Sequence, residues 1–170
     1  MLKYVDTRVT FSEVPDEVTL CINISNCPCH CKGCHSSYLA EDTGTTLNFR
    51  EFKDLIRKNK GISCVSIMGG DIDPIAVNVL FSHIKHDNTF NCKDLKTCWY
   101  SGRDKLPTLT GDKTYLDLDV FDYIKLGPYE EGYGPLNNPN TNQKFFKVNH
   151  KDNDYLEDIT YKFWKDDTKM

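Results

Sequence analysis

The sequence predicts an α/β domain: a mostly parallel sheet with helices on its outside. Three observations carry this. Apolar residues alternate at period two in several short runs. Runs at helical spacing lie between them, in the order strand, loop, helix, strand, loop, helix, strand. The chain has 170 residues, enough for one domain with a real core. Residues 1–170 are therefore read as a single domain, with its core over about 17–148.

The elements follow in order. Residues 4–11 (YVDTRVTF) alternate weakly and predict an edge strand. In 17–24, Val18, Leu20, Ile22 and Ile24 interleave with Thr19, Cys21 and Asn23, which predicts a central strand. A helix is expected over 48–60. Asn48 with Glu51 resembles a capping box, Phe49, Phe52, Leu55 and Ile56 share a face, and Gly61 suits the stop. Strand 64–68 ends at Gly69-Gly70-Asp71. Asp73 and Pro74 fit the N-cap and first turn of a helix over 74–86. Strands follow at 96–100, before Ser101-Gly102, at 123–126, before Gly127-Pro128, and at 144–148. In 151–170, Ile159, Tyr161 and Phe163 alternate like a strand, while Leu156, Ile159 and Phe163 fit a helical stripe equally well. A docked C-terminal element is expected there.

Parallel strands joined by crossovers carry their functional loops at their C-terminal ends. Periodicity alone therefore brings three segments to one sheet edge: the loop after Ile24, the Gly-Gly-Asp turn and the Ser-Gly turn.

Composition narrows the function. Net charge is −4, from 21 basic and 25 acidic residues, which argues against a nucleic-acid binder. No apolar run approaches a membrane span, and the first residues lack the apolar stretch of a secretory signal. A cytoplasmic, reducing setting is the expectation. Eight cysteines stand out, and four of them, Cys27, Cys29, Cys31 and Cys34, fall within eight residues. Clustered thiols in a reducing compartment point to metal or redox chemistry rather than disulfides.

Two registers are open. Cys31-x2-Cys34 with His30, His35 or Cys29 would make a compact zinc knuckle. Cys27-x3-Cys31-x2-Cys34 would hold three irons of a cubane and leave the fourth open to an outside ligand. In the second register Cys29 is extra.

This register, on the loop after the first central strand, resembles the radical S-adenosylmethionine superfamily. The closer resemblance is to the activating proteins of anaerobic ribonucleoside-triphosphate reductase. Residues 26–36 (NCPCHCKGCHS) are similar to that family's cluster loop, and Met68-Gly69-Gly70-Asp71 with Pro74 to its methionine-binding turn. Trp99-Tyr100-Ser101-Gly102, residues 122–129 (DYIKLGPY) and 140–143 (NTNQ) resemble three further elements, in the family's order. Gly33 and His35 stand where the wider superfamily often has aromatics.

The resemblance implies an incomplete (β/α) barrel and a 4Fe-4S cluster on Cys27, Cys31 and Cys34. It implies S-adenosylmethionine beside Gly33, Cys34, His35, Gly69, Gly70, Asp71, Ser101 and Gly102. Asn142 and Gln143 are expected to bond ligand or a partner loop. The implied reaction is reductive cleavage of S-adenosylmethionine. The resulting 5′-deoxyadenosyl radical would take a hydrogen atom from a glycine of the reductase large subunit. The electron would come from reduced flavodoxin or a similar donor. An activase of another glycyl-radical enzyme, or a non-enzymatic zinc module, is the alternative.

Simpler readings compete at single positions. Gly69-Gly70 and Ser101-Gly102 are also ordinary turn sequences. Cys21, Cys64 and Cys98 fit small core residues, and Cys92 a loop thiol. His83 and His86 fit one half-buried and one solvated histidine. Asp117, Asp119 and Asp122 lack the glycine of a calcium loop. Gly132 and Gly134 lack the third glycine of a dinucleotide loop.

Overall fold

A computed structural model describes residues 1–87, 92, 94–108, 115–151 and 155–164. Eight strands form one sheet, ordered β3-β1-β2-β4-β5-β6-β7-β8. They are β1 (Lys3–Thr10), β2 (Thr19–Ile24), β3 (Thr45–Thr46), β4 (Cys64–Met68), β5 (Lys96–Tyr100), β6 (Tyr123–Leu126), β7 (Lys144–Asn149) and β8 (Tyr155–Asp158). The helices are α1 (Phe49–Lys58) and α2 (Pro74–His86).

The sheet is mixed, which corrects the expectation of a mostly parallel one. Three pairings, β2 with β4, β4 with β5 and β5 with β6, are parallel. The four outer pairings are antiparallel. The connections give the reason. Parallel neighbours need a long crossover. Helix α1 lies in the connection from β2 to β4, and α2 in the one from β4 to β5. Between β1 and β2, and between β6 and β7, the chain has no helix and simply turns back. Among the described residues there are only these two α-helices. The first strand is flanked on its outer side by the two-residue β3, which pairs with Lys3 and Tyr4.

Both helices start where capping chemistry places them. Asn48 Oδ1 accepts from Glu51 N at 3.0 Å, and Asp73 Oδ1 from Ala76 N at 3.1 Å. The reciprocal half of the capping box is not made. Glu51 Oε1 instead accepts from Tyr4 Oη at 2.7 Å, tying α1 to β1. That hydrogen bond to a carboxylate raises the Tyr4 phenol to about 12.

The helices cover one face of the sheet. Leu20, Ile22, Val65, Ile67, Trp99 and Ile124 pack there with Phe52 and Phe81. On the other face Val14, Cys64, Cys98, Tyr123, Phe145 and Ile159 form a second cluster. Cys21, Cys64 and Cys98 are buried core thiols, and burial pushes each thiol up, Cys21 to about 12. His83 stacks on Phe49 at 4.0 Å, while His86 is exposed. The C-terminal element does dock. Strand β8 precedes one 3-10 turn over Thr160–Phe163, and the Phe163 ring meets Phe145 edge-on at 4.9 Å. Neither of the two open readings holds over Ile159–Phe163: the strand lies earlier, at Tyr155–Asp158, and the helical part is a single 3-10 turn. Residues 152–154 and 165–170 of that segment lie outside the described residues.

Candidate functional site

The four central strands run in parallel register, Asn23 beside Met68, Met68 beside Tyr100 and Tyr100 beside Lys125. Their C-terminal ends are thus level. The cysteine loop, the Gly-Gly-Asp turn, the Ser-Gly turn and the Gly127-Pro128 turn all leave from that edge.

The cysteine loop is held by backbone bonds to the segment that follows it. Asn26 N donates to Glu41 O at 3.0 Å, and Cys27 N to Leu39 O at 2.9 Å. Between these anchors the chain reverses through left-handed residues, Asn26 (φ 58°), His30 (φ 45°) and Gly33 (φ 76°). Cys34 N donates to Cys31 O at 3.2 Å, closing the x2 spacing into a turn. All four thiols are free and half-buried, whereas His30 and His35 are exposed. Gly33 faces the loop after β6: a Cβ there would lie 3.5 Å from the Tyr129 ring and 3.7 Å from the Glu131 carboxyl carbon.

The glycine turn is built for close approach. Gly69 (φ 91°) and Gly70 (φ 85°) are both left-handed, and a Cβ on Gly70 would meet Val77 Cγ2 at 2.8 Å. The Gly69 carbonyl accepts from the Trp99 indole at 2.8 Å. Asp71 is only 2% exposed, and its carboxylate is fully engaged. Ser101 Oγ donates to Oδ1 at 2.5 Å, Gly102 N donates to Oδ2 at 2.9 Å, and Arg103 Nε lies 3.4 Å from Oδ1. Arg103 also donates to the Asp71 carbonyl at 2.7 Å. Asp71 thus braces the turn after β4 against the turn after β5. Cys29 joins it, with Sγ 3.9 Å from Asp71 Oδ2. Burial and the neighbouring Asp71 carboxylate raise the Cys29 thiol to about 12.

Two contributors were missed from the sequence as individual residues, Arg103 and Lys125. Lys125 is 7% exposed and donates to Gly127 O at 2.5 Å and Ser101 O at 3.5 Å. Burial lowers its ammonium to about 8, opposed by the charges of Asp71, Cys31, Cys29 and Cys34. The available signal was a lysine between Ile124 and Leu126 on an otherwise apolar strand.

Asn142 and Gln143, expected to bond ligand or a partner loop, make these contacts within the chain, and the buried Asn142 Oδ1 accepts from no described group. Asn142 Nδ2 donates to Pro128 O at 3.0 Å and Glu130 Oε1 at 3.1 Å, and Gln143 Nε2 to Gly134 O at 3.3 Å. Both side chains shape their own loop. Two of the acidic trio are structural: Asp117 caps a 3-10 turn, and Asp122 Oδ2 accepts from Lys85 Nζ at 2.7 Å and Thr97 N at 2.8 Å, while Asp119 is exposed.

Soft sulfur donors on one loop above a buried ammonium fit an iron–sulfur cluster in donor type and in charge. They are not preassembled: among the described residues no three His, Cys, Asp or Glu side chains converge as a metal-ligand set. A cavity of about 430 Å³ lies at the opposite ends of the central strands, lined by Lys96, Tyr123, Lys147, His150 and Glu157 among others. No helix among the described residues is long and apolar enough to cross a membrane. No protein-family model matches the chain, and neither a curated protein nor a solved structure matches it.

Proposed function

We infer that the chain is a radical S-adenosylmethionine activating enzyme, acting on the glycyl-radical loop of an anaerobic ribonucleoside-triphosphate reductase. One observation carries this reading. The cysteine loop and the two turns similar to the family's cofactor elements meet at one sheet edge, through Asp71, Cys29, Ser101 and Gly102. The parallel core with helices on one face is the part of the fold that an incomplete (β/α) barrel would use.

Cys27, Cys31 and Cys34 would hold a 4Fe-4S cluster, which when bound supplies one electron for cleavage of the sulfonium carbon–sulfur bond. The remaining work belongs to the chain. Gly69 and Gly70 hold a left-handed turn packed on Ile24 and Val77, whose backbone would face the methionine end. Asp71 acts on the cofactor indirectly, by fixing the Ser101-Gly102 turn beside it. Lys125 offsets negative charge beneath the thiolates. A loop of the partner protein would meet the cofactor at this sheet edge. Reduced flavodoxin or a similar donor would supply the electron.

Mixing anaerobically reconstituted protein with the reductase, S-adenosylmethionine and a reductant tests the partner. A glycyl-radical doublet in electron paramagnetic resonance is expected. A radical formed only on a different glycyl-radical enzyme would reassign the substrate. One zinc per chain, with no iron taken up, would replace the reading by a zinc module.

A further inference from the structure

Lys125 is a buried cation whose hydrogen-bond partners are neutral. Its ammonium donates to two carbonyls, Gly127 O and Ser101 O, and among the described residues no carboxylate pairs with it. The buried carboxylate of this edge, Asp71, is taken instead by Ser101, Gly102 and Arg103. Packing does not account for the charge. Lys125 lies in register between Tyr100 and Phe145, and Phe145 is fully buried, so an apolar side chain would suit the strand. A cation kept in such a place costs free energy unless an anion faces it.

The position of the ammonium says which anion. On one side Ser101 leads into Gly102, where a Cβ would lie 2.5 Å from Cys29 Sγ. On the other, Gly127 opens the loop that carries Tyr129 and Glu131 against Gly33, between Cys31 and Cys34. The ammonium therefore sits between the two turns on which the cysteine loop rests. The opposite charges that reach it are those of Asp71, Cys31, Cys29 and Cys34. Asp71 already has a cation in Arg103, which leaves the thiolates as the charge for Lys125 to balance.

The next step rests on the reading above, in which cysteines of this loop hold a four-iron cluster. Such a cluster gains one negative charge when it is reduced. A fixed cation beside it favours the reduced form, and the low dielectric of a buried position strengthens the effect. We propose that Lys125 is the built-in counter-charge of the cysteine-loop cluster and raises its reduction potential.

Reductive titration of the reconstituted protein, without S-adenosylmethionine, tests this by following the paramagnetic signal of the reduced cluster. Lys125→Met keeps an apolar stem and removes the charge. At the wild-type midpoint its ratio of reduced to oxidised cluster should be about tenfold lower, equivalent to a midpoint about 59 mV more negative. Lys125→Gln is also neutral but still donates a hydrogen bond. It should shift in the same direction, and it covers the case that Lys125→Met loads poorly. Iron and sulfide analysis of each protein separates the two levels of the account. A wild type that assembles no four-iron cluster overturns this inference together with the reading beneath it. Full clusters with the same midpoint in wild type and both variants overturn the inference alone. So does a Lys125→Gln midpoint equal to that of wild type beside a shifted Lys125→Met, because the hydrogen bonds rather than the charge would then set the potential.

Discussion

Cys29 Sγ fills the space that a side chain at position 102 would need. A Cβ built on Gly102 would lie 2.5 Å from that sulfur and 3.2 Å from Cys29 Cβ. The thiol outside the predicted ligand register therefore packs the cysteine loop onto the turn after β5. Gly102→Ala should overpack this contact and lower stability by about 1–3 kcal/mol. Cys29→Ala should be mild alone and should recover most of the loss in the double variant. Denaturant unfolding of the four proteins measures the coupling, and additive effects would remove the contact from the account.

Asp71 carries the other link between the turns. Asp71→Ala leaves the Ser101 hydroxyl and the Gly102 amide without their acceptor and removes the partner of Arg103. A loss of about 2–3 kcal/mol is expected, because the acceptor is ionised and buried. Asp71→Asn should lose less, since an amide oxygen still accepts. Equilibrium dialysis with S-adenosylmethionine on the reconstituted protein should show weaker binding in both. Unchanged stability in Asp71→Ala would contradict the bracing role.

Lys125 gives a pH signature. Its folded-state pKa, about 8, lies below the unfolded value of 10.5. Between these values the unfolded chain binds more protons, so stability rises with pH across that window. The burial penalty is fully present below about pH 8. Lys125→Met should remove this rise, which is bounded at about 3 kcal/mol. Comparing wild type and variant from pH 7 to 10.5 isolates the lysine from other titrating groups. Parallel profiles would show that the ammonium is not penalised by burial.

The cysteine register makes a separable prediction. Cys27→Ser, Cys31→Ser and Cys34→Ser should each fail to retain a full cluster after anaerobic reconstitution. Cys29→Ser should retain about four irons per chain. Iron and sulfide analysis reads this directly, and a full cluster in Cys31→Ser would rule out the register.

Much of the fold was legible because local signals agreed with it. The period-two run at 17–24, of which the chain forms Thr19–Ile24, the short strands read at 64–68 and 123–126, and the caps at Asn48 and Asp73 mark their elements. Strand direction was harder to read, since no residue in β7 states which way it runs. Only the absence of a helix between Leu126 and Lys144 does so. The two-residue β3 is too short to show a period. At the site, level strand ends made the meeting of the loops predictable. The embrace of Asp71 by Ser101, Gly102 and Arg103 was not, because it depends on side-chain contacts across about 30 residues. The in-loop bonds of Asn142 and Gln143 were not legible for a related reason: amide N–H groups serve a loop's own carbonyls as readily as a ligand.

The central claim is tested most directly by incubating anaerobically reconstituted protein with S-adenosylmethionine and dithionite, then quantifying nucleosides and methionine. Formation of 5′-deoxyadenosine and methionine in equal amounts, abolished in Cys31→Ser, is the predicted result. Intact S-adenosylmethionine in the presence of a fully loaded, reduced cluster would contradict it.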